Sequence, residues 1–186
     1  MTPEDAKELI KDFFVAEIKT PLCFVGPKGV GKSFAVADAW KELNESLEYK
    51  DEISFLDIRL ALDTAEDIAG WPRPAKDCVE YLMADWARES FTKKYCIVFF
   101  DEINRSPLET RQALFELMSK GSIRRKPINP NYILVFAMNP DNGNYQVETL
   151  DSAFERRMIR IPIVTSLKGW LKWGKDYGLQ EDILRF

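Results

Sequence analysis

Apolar residues gather along this chain in short, dense runs. "LCFV" (22–25), "ISFLDI" (53–58), "CIVFF" (96–100), "YILVFAM" (132–138) and "MIRIPIV" (158–164) are bounded by turn-forming residues and predict five strands. Helical patterns over 32–48, 75–91 and 107–119 lie between several of them. Strands that are apolar on both faces and alternate with helices describe a parallel sheet covered on each side. The opening "TPEDAKELIKDFFVAEI" predicts a further helix, with Thr2 as N-cap and Pro3 at the first helical position. Ala6, Leu9, Ile10, Phe13, Phe14 and Ile18 recur on its apolar side. Near the end, "SLKGWLKWGKDYGL" predicts one helix and "QEDILRF" the first turns of another. The expectation is that more helices follow Phe186 in a longer parent chain or were lost by truncation.

Length and composition narrow the class. A chain of 186 residues, 46% apolar and 30% charged, is long enough for one packed domain and too short for two ordinary ones. Its net charge of -4 is spread over interspersed acids and bases, so no basic run advertises nucleic acid or an anionic membrane, although a pore or groove can still be locally basic. No apolar run approaches the roughly 20 residues of a membrane span and the N-terminus lacks signal-peptide organisation, so the expected compartment is the cytoplasm. Cys23, Cys78 and Cys96 have no metal-ligand spacing and are expected to be buried, reduced thiols. Histidine is absent, which excludes Ser-His-Asp and Cys-His catalysis and any histidine-ligated zinc site.

Residues 26–33, "GPKGVGKS", fit G-x-x-x-x-G-K-[S/T] between a strand and a helix. Gly26, Pro27, Lys28, Gly29, Val30 and Gly31 form a loop whose backbone N–H groups can surround phosphate oxygens. Lys32 would reach the terminal phosphates, and Ser33 would ligate Mg²⁺ at the helix N-terminus. The stretch "CIVFFDEINRSP" then poses a problem, because Asp101 and Glu102 end a run that should be buried, and a buried charge needs a partner. At the carboxyl edge of a parallel sheet, beside the phosphate loop, Mg²⁺ would offset Asp101, while Glu102 would polarise a water for attack on the γ-phosphate.

With these two motifs in place, the chain from about residue 20 onward resembles the AAA+ ATPases, and within them the MoxR-like and dynein-related group. "FFDEINRSP" followed by "RQALFELM" is similar to that group's Walker B strand and next helix. "DIRLALDTAEDIAGWPRP" (57–74) is more loosely similar to its second strand and the loop that tends to face the pore of a hexamer. The resemblance implies a three-layer α/β/α P-loop core over 1–164 with strand order 5-1-4-3-2, and a largely missing helical lid begun by 165–186. It puts Asn139 of "VFAMNP" at the sensor-1 position, where an amide can orient the attacking water. It puts Arg157 of "LDSAFERRMIRI", with Arg156 beside it, at the arginine finger that would serve a neighbouring subunit. Met158 stands where the family usually has Phe. Trp71 is expected to pin its loop to the domain surface, the other reading being an exposed aromatic that grips a substrate. Trp170, Trp173 and Tyr177 are expected to meet the missing lid or a neighbour.

The function so implied is an Mg²⁺-dependent ATPase that assembles into a hexameric ring and remodels a protein, rather than nucleic acid, with a von Willebrand A-domain protein as a partner in such relatives. Three other readings stay open: an McrB-like GTPase motor, a small monomeric P-loop kinase, and a module that holds nucleotide without turnover.

Overall fold

The computed structural model describes residues 1–141 and 150–180. Chain order is α1 (Pro3–Val15), β1 (Leu22–Val25), α2 (Lys32–Glu45), β2 (Ile53–Arg59), α3 (Ala65–Ala69), a hairpin of β3 (Pro72–Pro74) and β4 (Val79–Tyr81), and α4 (Asp85–Glu89). There follow β5 (Tyr95–Asp101), a 3₁₀ turn (Ile103–Arg105), α5 (Leu108–Lys120), a hairpin of β6 (Ser122–Ile123) and β7 (Lys126–Pro127), β8 (Tyr132–Met138), α6 (Ser152–Glu155), β9 (Ile159–Pro162) and α7 (Leu167–Asp176).

Five strands form one parallel sheet in the order β2-β5-β8-β1-β9. Numbered as the sequence predicts them, this is 5-1-4-3-2 read from the other edge. Alternate residues of the central strands go to opposite cores, as the strand period of two requires. Ile97, Phe99, Ile133 and Val135 pack beneath Ile10 of α1 and Val36 and Leu43 of α2. Val98, Phe100, Leu134 and Phe136 pack beneath Trp86, Leu114, Leu117 and Phe154 on the other side. Both faces are therefore dry, and the strands read as continuous apolar runs.

Helix α1 begins as its sequence predicts. Thr2 Oγ1 accepts from Asp5 N, the Asp5 carboxylate accepts from Thr2 N, and Pro3 opens the first turn. Lys7 then docks α1 on α2, its ammonium lying 2.8 Å from Glu4, 3.3 Å from Asp38 and 2.6 Å from Glu42.

Three expectations are corrected. The helix expected over 75–91 is the β3–β4 hairpin followed by the short α4. Pro72 and Pro74 hold extended backbone, Leu82 N donates to Trp71 O, and Arg73 pairs with Glu80 across the strands. Cys78 consequently sits exposed at the hairpin tip, whereas Cys23 and Cys96 are buried as expected, where burial pushes each thiol up to about 12. Trp71 is 56% exposed, yet its side chain meets the Asp67 carboxylate of α3 and so still ties its loop to the domain surface. Trp173 and Tyr177 pack within the chain, edge-on to Phe34 of α2 at 5.5 and 5.6 Å. The predicted turns of "QEDILRF" fall, beyond Gln180, outside the described residues. Among the described residues no helix is long and apolar enough to cross a membrane.

Candidate nucleotide site

Strand register brings the two sequence motifs together. Val25 of β1 pairs with Met138 of β8, and Phe100 of β5 with Phe136 of β8. Gly26, Asn139 and Asp101 therefore leave three adjacent strands at one edge of the sheet, the carboxyl edge. Neighbouring strands lie about 4.8 Å apart, so the backbones of Gly26 and Asp101 stand roughly 10 Å apart with Asn139 between them.

The loop is built for close backbone approach. Gly26 N donates to Met138 O, and a Cβ at Gly26 would lie 2.7 Å from the Ile163 carbonyl oxygen. Gly31 turns the chain into α2 at φ 99°, a left-handed conformation that favours glycine. Pro27, Lys28 and Gly29 are exposed, while Val30 is buried and anchors the loop to the α2 core.

Lys32 is 8% exposed, and its ammonium donates to Gly26 O at 2.6 Å, Pro27 O at 3.0 Å and Asn139 Oδ1 at 3.3 Å. Burial moves its pKa down, against the opposing pull of Asp101 and Glu102. Ser33 Oγ donates to Asp101 Oδ2 at 3.1 Å. These two hard oxygen groups fit Mg²⁺, which normally takes only one or two protein oxygens and completes its shell with phosphate and water. Among the described residues no cluster of three or more Cys, Asp or Glu offers a different metal site.

Glu102 has a left-handed backbone, φ 57°, and its carboxylate accepts from Arg105 Nη1 at 2.9 Å. Asn104, 1% exposed, clasps the Asn139 backbone from both sides: its Nδ2 donates to Asn139 O at 2.8 Å, and its Oδ1 accepts from Asn139 N at 3.3 Å. Neither Asn104 nor Arg105 was assigned a role from sequence. The only signal was the polar break after Glu102, which says that a strand stops and not what each side chain meets.

Arg156 and Arg157 are not brought to this edge. Ile159 pairs with Leu22 at the start of β1, so both arginines lie at the amino edge, a full strand of four residues, roughly 13 Å, from the loop that follows Val25. Arg156 is exposed at the end of α6. Arg157 Nε donates to Ser119 Oγ at 2.9 Å, its Nη1 to Ala153 O, and its guanidinium lies 5.0 Å from the centre of the Phe115 ring.

A phosphate loop and a paired Asp-Glu at the carboxyl edge of a 5-1-4-3-2 sheet define a P-loop nucleotide-binding core. Residues 21–158 match the AAA domain family, dynein-related subfamily, and the chain belongs to this group of AAA+ ATPases. The crystal structure of a candidate ATPase from Cytophaga hutchinsonii superposes with a TM-score of 0.64 at 16% identity, over 94% of this chain and 51% of that one. That likeness shows the shared fold, and this chain spans about half the length of that protein. No curated protein matches the chain significantly.

Proposed function

We propose that this chain binds and hydrolyses Mg-ATP at the carboxyl edge of its sheet, in a site completed by Arg157 of a second copy. The observation that carries this reading is the split between the two edges. The phosphate loop, Asp101, Glu102 and Asn139 converge at one edge, while the arginines stand roughly 13 Å away at the other. Arginines so placed serve a neighbouring copy rather than their own loop, and repetition of that contact closes a ring.

Lys32 would exchange its carbonyl partners for the terminal phosphate. Ser33 and Asp101 would hold Mg²⁺, which neutralises charge on the phosphate oxygens. Glu102, once released from Arg105, would take the proton of the attacking water, and Asn139, fixed by Asn104, would orient that water. Arg157 in trans would stabilise charge on the transferring phosphoryl group. The resemblance makes a protein the partner on which the cycle acts.

The test is ATP hydrolysis per subunit as protein concentration rises, in the wild type and in Arg157→Ala. The specific rate is expected to climb with concentration and to fall by about 10³ or more in the variant, the usual worth of such a finger. A flat rate that ignores Arg157 would overturn the shared site and favour a monomeric kinase.

A further inference from the structure

The two hairpins meet. Arg124, in the β6–β7 turn, lies over the ring of Tyr81 at 4.2 Å, and Lys126 Nζ donates to Tyr81 O on β4. The turn itself is Arg124-Arg125, both left-handed at φ 49° and 63°. Asn-Gly suits such a two-residue turn, whereas each arginine costs about 1–2 kcal/mol there. Glu116 offsets part of that cost by accepting from Arg125 N at 2.8 Å and from Ser122 Oγ at 2.7 Å. Two adjacent cations are thus held at a tip where local preference disfavours them.

The charge is concentrated to match. Residues 71–82 and 120–127 carry Arg73, Lys76, Lys120, Arg124, Arg125 and Lys126 against Asp77 and Glu80, a net +4 that Glu116 beneath the turn and Asp67 beside Trp71 lower to +2, in a chain whose total is -4. All six cations are exposed. Trp71 is exposed beside them and shares a hairpin face with Arg73, two residues on. A purely acidic peptide such as poly-glutamate would satisfy the cations but leave the Trp71 ring without a planar partner. A nucleic-acid strand offers phosphates to the cations and a base to the ring. Because Tyr81 and Trp71 lie on opposite faces of a narrow hairpin, the ligand must wrap its edge, which a flexible single strand does and a stiff duplex does not.

We infer that the paired hairpins bind single-stranded nucleic acid, with Arg124, Arg125, Lys126 and Lys76 on phosphates and Trp71 under a base. This adds an anionic polymer to the protein partner expected from the resemblance, and it does not depend on the nucleotide site.

The test is fluorescence anisotropy of a labelled oligo-dT of about 20 nucleotides, titrated with the full chain without ATP at several salt concentrations. Affinity is expected to fall with salt at a logarithmic slope of about -3, for four phosphate contacts on a single strand. The double variant Arg124→Asn/Arg125→Gly, whose turn is relieved, is expected to melt at or above the wild-type temperature yet bind at least tenfold more weakly. Lys76→Ala, away from that turn, is expected to weaken binding and flatten the slope. Trp71→Ala is expected to weaken binding at an unchanged slope. No binding at low salt, binding indifferent to Arg124→Asn/Arg125→Gly, preference for duplex, or equal capture of a poly-glutamate peptide would each overturn the inference.

Discussion

Glu102 carries two constraints at once, a left-handed backbone and an ion pair to Arg105 at 2.9 Å. A non-glycine residue held there stores about 1–3 kcal/mol, which the buried 3₁₀ turn after it must sustain. The pair occupies Oε1 of the carboxylate. Glu102→Gln is expected to bind Mg-ATP as tightly as the wild type and to turn over 10²–10⁴ times more slowly, about the worth of a positioned base. Single-turnover kinetics checks this, and wild-type hydrolysis by the variant would remove Glu102 from the chemistry. Lys32→Ala is expected to lose tight Mg-ATP binding by equilibrium titration, since no other ammonium lies against Gly26 O and Asn139 Oδ1 among the described residues. The loop, Lys32, Ser33 and Asp101 were legible because their spacing is local to one turn or one strand end. The Asn104–Asn139 clasp was not, since it joins residues 35 apart whose meeting depends on β5 lying beside β8.

At the scale of elements, the segment 70–91 shows where periodicity misleads. Ala75, Cys78, Val79, Leu82, Met83, Trp86 and Ala87 repeat like a helix, yet Val79 is 61% exposed and only the last part, α4, is helical. Backbone conformation decides the matter. Gly70 adopts φ 90°, and a Cβ there would lie 1.9 Å from Leu82 O, so the chain can turn into the hairpin only with glycine at that point. Gly70→Ala is expected to destabilise the protein by roughly 1–3 kcal/mol, the usual cost of enforced backbone strain. It is also expected to open the Trp71–Leu82 pairing. Thermal melting measures the first effect and faster amide exchange at Leu82 the second. An unchanged melt would mean that the hairpin does not need this close approach.

Across the whole molecule, carboxylates that hold elements together set the acid limit of stability. Burial pushes Glu42 up, but hydrogen bonds from Lys11 and Lys7 outweigh it and leave its pKa below 4.5. Hydrogen bonds from Thr2 and Thr64 hold Asp5 and Asp67 below 3.8. Stability from these ionised groups is complete above their ordinary values and is lost as pH falls through the lower folded ones. Asp57 and Asp63 act oppositely: burial raises both, so protonating them favours the folded state as pH falls toward 3.8. The melting temperature is therefore expected to hold from pH 7 to about 4.5 and to drop below it. Glu42→Gln is expected to cost about 1 kcal/mol at pH 7, less than a fully buried charged bond because Glu42 is 39% exposed, and to flatten the acid slope. Melts from pH 3 to 7 check both, and identical slopes would show that Lys7 and Lys11 gain nothing from Glu42.

The sequence by itself determined the five strands, the helix that follows the phosphate loop, the cap of α1 and the two motifs from which the nucleotide site is proposed. Each of these is written in neighbours a few positions apart, in a period, a cap or a motif, and local geometry obeys local order. Tertiary structure alone decided which side chains meet across the sheet. It set Arg157 on Phe115 and Ser119 at the edge away from its own loop, and it tied Glu102 to Arg105. It also turned Trp71 and Cys78 outward on a hairpin and seated Arg124 on Tyr81. Such contacts depend on strand order and on backbone turns at Gly70 and Glu102, which are settled only when distant segments compete for the same partners.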